Sequence, residues 1–124
     1  MQMNRELLLY ALIGAFVMPA SNPTRAADSS GKALFAQCSV CHSSDGSNGV
    51  GPSLQGITAR KAGSFAGFRY SRAMKSATFS WDEANLDRFL ADPQAVVPGN
   101  VMPFAGLTDA KLRKALIAYL ATLK

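Results

Sequence analysis

Both cysteines and the only histidine of this 124-residue chain fall within five residues, Cys38-Ser39-Val40-Cys41-His42. No other feature restricts the fold as strongly. Two thiols three residues apart on a helical turn point to the same side. They are spaced to add to the two vinyl groups on one edge of a haem. The imidazole next in the chain then lies under the iron, where a neutral ring is a good fifth ligand. Cys-x-x-Cys-His is the attachment signature of c-type haem. Other uses of two cysteines fit less well. A thioredoxin-like redox pair needs a preceding strand and a βαβ sheet, and the chain has no strand-rich runs. Structural zinc needs four ligands, and two Cys with one His leave one missing. A disulfide across so short a loop is unusual. The remaining residues therefore read as a wrapper for one haem c, held covalently by Cys38 and Cys41 and ligated by His42.

The start of the chain has the layout of a secretory signal. Met1-Gln2-Met3-Asn4-Arg5-Glu6 is polar, Leu7 to Met18 is apolar, Pro19 breaks the run and small residues continue to Ala27. The apolar run is too short to span a bilayer, so no stable membrane insertion is expected. Thr24-Arg25-Ala26 carries small residues at the right two places, which favours cleavage after Ala26 over Ala20 or Ala27. An uncleaved, membrane-associated N-terminus is the competing reading, because Glu6 offsets Arg5. The expected organisation is a leader over residues 1–26 and one domain over 27–124, located in the periplasm.

Loss of the leader removes Arg5, Arg25 and Glu6 from 13 basic and 8 acidic side chains, so the formal charge falls from +5 to +4. A charge of this size tunes solubility and partner steering. It is no nucleic-acid footprint, since basic residues never run longer than Arg60-Lys61 or Arg113-Lys114. A domain this short buries limited apolar area alone. A haem adds a large apolar body to its core, and two thioether bonds act as staples.

Along the mature chain the pattern is helical. Asp28-Ser29-Ser30-Gly31 reads as a helix start, with Leu34, Phe35 and Cys38 at helical spacing. Ser43 to Gly51 is turn chemistry whose one core candidate is Val50, and Asp45 reads as a turn residue. Gly51-Pro52 stiffens the backbone beside His42, and the Pro52 carbonyl is a candidate acceptor for the second imidazole N–H. Gln55 to Lys75 predicts loop, with a short helix near Ser71–Lys75. Ser80-Trp81-Asp82-Glu83 fits a capping box. Leu86, Phe89 and Leu90 form the apolar face of the helix it opens, which stops at Asp92-Pro93. Gln94 to Val97 is expected to add a turn. Thr108-Asp109 caps the last helix, with Leu112, Ala115, Leu116, Tyr119, Leu120 and Leu123 on one face.

No second histidine exists to complete the iron. The candidates are a methionine, a lysine or an open position. Beyond the leader the methionines are Met74 and Met102. An isolated Met is usually core filling, which suits Met74. Met102 stands in Pro98-Gly99-Asn100-Val101-Met102-Pro103-Phe104, where a Pro-bounded loop holds a thioether without a helix. An open sixth position would point to a gas sensor or peroxidase. His/Met ligation gives a high-potential iron that changes little on reduction, as an electron carrier needs.

These residues together resemble the class I cytochromes c, the soluble bacterial periplasmic and mitochondrial electron carriers. The likeness runs from Gly31 to Leu120. It rests on Gly31-x-x-x-Phe35, the Cys38–His42 motif, Gly51-Pro52, Arg60-Lys61-x-Gly63, Gly67-Phe68-x-Tyr70, Trp81, Pro98-Gly99-x-x-Met102-x-Phe104-x-Gly106 and Leu116-Ile117-Ala118-Tyr119-Leu120. The resemblance implies an all-α fold wrapped around one covalent haem, with the first and last helices crossing where Gly31 and Phe35 meet Leu116 and Tyr119. It implies axial ligands His42 and Met102, and haem propionates held by Arg60, Tyr70 and Trp81. Departures from the mitochondrial members are Phe89 for a Tyr near the Met sulfur, Met74 for an interior Asn and Asn100 for a loop Thr. Gln37, Gln94, Ala95 and Val101 stand where edge lysines often sit. The expected function is one-electron Fe(III)/Fe(II) shuttling between a donor and an acceptor redox protein by a monomer that is not an enzyme. A thiol–disulfide oxidoreductase, a gas-binding or peroxidase haem protein and the electron-accepting subunit of a periplasmic dehydrogenase are the alternatives.

Overall fold

The computed structural model describes residues 16–20 and 23–124. The expected leader lies mostly outside the described residues. Of its apolar run Phe16, Val17 and Met18 are described, and they are exposed without regular secondary structure. Among the described residues no helix is long and apolar enough to cross a membrane.

Among the described residues five helices carry the fold: α1 (Pro23–Cys38), α2 (Arg72–Ser76), α3 (Glu83–Ala91), α4 (Pro93–Val96) and α5 (Ala110–Leu120), with a 3-10 turn at Ile57–Ala59. Among the described residues the β-structure amounts to an isolated bridge between Lys61 and Ser80. The fold is all-α, as expected. Its frame is α1 packed against α5, the most extensive helix pair. Gly31 permits the close approach. A Cβ there would fall inside van der Waals contact of Ala115 O and 2.7 Å from Tyr119 Cβ. One turn on, Phe35 tilts against Tyr119 with ring centroids 5.3 Å apart.

Two helix starts and one buried face differ from the sequence pattern, each for a physical reason. α1 begins at Pro23, not Asp28. Proline presets the helical φ and its missing N–H is no loss in a first turn, and residues 24–27 contain no breaker. α3 is capped by Asp82, whose carboxylate accepts from Asn85 N at 2.7 Å, and not by Ser80. Ser80 and Trp81 are held extended instead: Trp81 N donates to Arg60 O and Ala62 N to Phe79 O. α5 buries Ala115, Leu116, Ile117 and Leu120, while Leu112 is 38% exposed. It packs on both α1 and α3, so its apolar face is wider than one stripe and is rotated toward Ile117. Asp109 caps α5 as expected, and the structure adds caps at Ser71 for α2 and at Asp92 for α4, with Pro93 at its first position.

The loops are tied to this frame. Arg113 donates to Asp87 at 2.7 Å and to the carbonyls of Leu107 and Thr108, which joins α5 to α3 and to the segment before it. Gly56 N donates to Leu123 O and so closes the C-terminus onto the 3-10 turn.

Candidate functional site

The last turn of α1 continues past its end. Cys41 N and His42 N both donate to Cys38 O, at 3.1 and 2.9 Å. Residues 38, 41 and 42 thus stand at i, i+3 and i+4 on one face, and all three line the same cavity. The two thiols are not joined to each other, and burial pushes the Cys38 thiol above its ordinary pKa. Val40, between them, faces outward at 80% exposure.

His42 is oriented by the loop downstream of it. Gly51 N donates to Cys41 O and Leu54 N to Ser43 O, folding the chain back beside the motif. That return places Pro52 O 2.7 Å from His42 Nδ1. A carbonyl only accepts, so Nδ1 carries the proton and Nε2 keeps its lone pair. Burial pulls the imidazole pKa down, the Pro52 bond opposes this and the Arg60 charge adds to it. The ring is therefore held neutral, the form that binds a metal. Gly51 packs flat on the ring, since a Cβ there would lie 2.6 Å from Cε1. This contact has no periodic signature; the adjacent Gly-Pro pair is its one trace in the sequence.

The cavity holds about 370 Å³. Its walls are largely apolar: Leu86, Phe89 and Leu90 from α3, Leu116 and Leu120 from α5, and Ile57. Trp81 stands in the wall with edge-on contacts to Phe79 and Phe89. Met102 lines the cavity, and so does Met74, which packs against the core. Every lysine from Lys32 to Lys124 is exposed, and none lines the cavity. Val50 is not a core residue. It stands 78% exposed at the cavity mouth because its loop runs outside the helical frame.

Polar groups gather around Arg60, also in the lining. Its Nη2 donates to Ser53 O at 2.6 Å, and its guanidinium stacks 4.4 Å from the centre of the Phe65 ring. The Tyr70 hydroxyl, also in the cavity lining, accepts from Phe65 N at 3.0 Å and so keeps its O–H to donate. Arg60 Nε is buried without a hydrogen-bond partner, and among the described residues Arg113–Asp87 is the ion pair. A partly buried cation with an orphaned N–H fits an anionic ligand. The carboxylates of a haem answer that need, and its apolar macrocycle matches the walls. Cys38, Cys41, His42, Pro52, Arg60, Tyr70, Trp81 and Met102 all border this one cavity. Sequence reasoning missed Ser53, which is fully buried, accepts from Gly46 N and Gln55 N and presents its carbonyl to Arg60.

A helical shell with an attachment motif, a neutral imidazole and an unpaired cation around one apolar cavity defines a c-type haem protein. Residues 29–124 match the family described as Cytochrome c. Cytochrome c2 iso-2 of Magnetospirillum molischianum is 50% identical over 91 residues, which are 73% of this chain and 94% of that protein. Cytochrome c2 of Rhodomicrobium vannielii is 43% identical over 115 residues, 90% of this chain and 92% of that one. The solved structure of cytochrome cH from Methylobacterium extorquens superposes with a TM-score of 0.74 at 43% identity, covering 77% of this chain and 97% of that chain. The chain belongs to the cytochrome c family, as a class I monohaem member. It is an electron carrier and not an enzyme, and Cys38 and Cys41 fit the attachment motif of its one haem c.

Proposed function

We propose that the mature chain is a periplasmic shuttle that passes single electrons between two redox proteins, with His42 and Met102 as axial ligands. The observation that carries this reading is a neutral imidazole, fixed by Pro52, and a thioether on a Pro-bounded loop in the lining of one cavity. When bound, haem c supplies the one-electron Fe(III)/Fe(II) couple. Cys38 and Cys41 anchor it, and His42 presents Nε2 to the iron. Arg60 and Tyr70 supply N–H and O–H donors to the propionates, and Trp81 packs beside them. The apolar walls exclude water, which favours the less charged iron state. The leader layout of residues 1–26 supports export, and cleavage after Ala26 trims α1 by one turn upstream of its Gly31 contact.

Oxidised holoprotein is expected to show the weak long-wavelength sulfur-to-iron band. Met102→Ala should erase it, lower the midpoint potential and admit cyanide, whereas Met74→Leu should leave the band in place. A band that survives Met102→Ala or is lost in Met74→Leu assigns the ligand to the other methionine.

The docking rim is expected to be neutral and apolar. Val50 and Val101 are each 78% exposed at the cavity mouth, with Val40 exposed beside the motif. Gln37, Gln94 and Ala95 are exposed and uncharged. Steering by charged rims makes association fall with salt. Stopped-flow oxidation by the natural partner should therefore depend only shallowly on ionic strength, and a steep fall would reveal a charged docking patch.

A further inference from the structure

Asn100 is a buried polar residue, 6% exposed, two positions before Met102. Both polar atoms of its side chain are used within one loop. Nδ2 donates to Val97 O at 2.8 Å and to Pro93 O at 3.0 Å, and Oδ1 accepts from Met102 N at 3.1 Å. From outside, the Gln94 amide pairs with the backbone as a peptide group would. Its Oε1 accepts from Gly99 N at 3.1 Å and its Nε2 donates to Asn100 O at 2.8 Å. Gly99 has φ +86°, a turn that side-chain-bearing residues rarely make, and it brings 99–100 back under Gln94. The two amides thus close residues 93–102 on themselves.

The segment beyond is open by comparison. Val101 and Pro103 are exposed, and the next tie to the frame is Leu107 N to Leu90 O. The hydrogen bond that holds the Met102 N–H runs to Asn100. Met74, by contrast, sits on α2, held by the Ser71 cap and by Gly63 packed on its carbonyl. Neither of these contacts comes from the 93–102 loop.

We propose that Asn100, braced by Gln94, is the positioning residue of Met102: their amides latch the 93–102 loop to α4 and set how firmly the thioether is held toward the cavity. The inference rests on the reading of Met102 as an iron ligand. Removing the Asn100 amide frees the Met102 N–H and takes the second of two donors from Pro93 O and Val97 O, which keep Val97 N and the backbone N of residue 100. Removing Gln94 opens the exposed half of the latch while the buried half stays. Loop opening competes with thioether ligation, so each loss should raise the apparent affinity for an added ligand by the fraction of open loop it creates.

The test is an imidazole titration of oxidised holoprotein, read in the visible spectrum, for wild type, Met102→Ala, Asn100→Ala and Gln94→Ala, with guanidinium unfolding run in parallel. Asn100→Ala should bind imidazole about tenfold more tightly, which is about 1.4 kcal/mol, and Gln94→Ala a few-fold more tightly. The expected ordering is wild type weakest, then Gln94→Ala, then Asn100→Ala, then Met102→Ala. If the sulfur-to-iron band is absent from wild type or survives Met102→Ala, the ligand assignment fails. If the band is Met102-dependent and Gln94→Ala and Asn100→Ala both bind imidazole as weakly as wild type, the latch is overturned while the assignment stands, even if both variants unfold earlier. Gln94 is exposed, so its variant decides the matter should Asn100→Ala fail to fold.

Discussion

Cys38→Ala combined with Cys41→Ala is expected to give a chain that carries no haem on a denaturing gel and is largely unfolded in solution. The two thiols face one cavity of about 370 Å³ whose walls are largely apolar. Losing the apolar body that fills it leaves those walls facing water and removes a large part of the core, a loss of several kcal/mol at roughly 25 cal/mol per Å² of apolar surface. A small domain has about 5–15 kcal/mol of stability in all. Collapse of the walls would lower the cost, but the space is bounded by two helices pinned at the α1–α5 contact and by the Arg113–Asp87 pair. Arg60 would also keep a buried N–H with no partner. Far-UV circular dichroism and haem staining read both effects. Haem that stays on the denatured double variant would place the covalent bonds elsewhere.

The helix pattern and the site were legible to different degrees. Where a residue's role depends on local spacing, the sequence carried it. The 38–41–42 motif predicts three groups on one face, and the backbone bonds to Cys38 O place them there. The cap at Asp109 reflects a short polar side chain ahead of a helical run. The Ser80 cap failed because Ser80 and Trp81 pair with residues 60–62, a partnership some twenty residues away that no local window contains. Leu112 and Ile117 exchanged places for a similar reason. Which stripe of α5 is buried depends on the two helices that flank it. Within the site, Gly51 against the imidazole and the Asn100 latch are contacts made by irregular backbone. They carry no period and show only in three dimensions. The family likeness named most of the same residues, but the orphaned Arg60 Nε is what gives a physical reason for an anion at that end of the cavity.

Gly31→Ala should lower stability although helix propensity favours it. In an exposed helix interior, Gly to Ala gains about 1 kcal/mol. At this position the added methyl would sit inside contact distance of Ala115 O and 2.7 Å from Tyr119 Cβ. The obstacle is a helix backbone and a Cβ, neither of which swings aside. α1 and α5 must separate, and overpacking of this kind costs about 1–3 kcal/mol, occasionally more. The clash should outweigh the propensity, for a net loss of about 1 kcal/mol. In a domain of this size that lowers the melting temperature by about 4–8 °C. The displacement also reaches the site. Cys38 lies seven residues along the same helix, about two turns, so a shift of α1 carries the motif with it and strains the His42–Pro52 contact. The midpoint potential should therefore move together with the melting temperature. A melting temperature that rises, as propensity alone would have it, would show that the crossing is looser than a glycine-mediated contact.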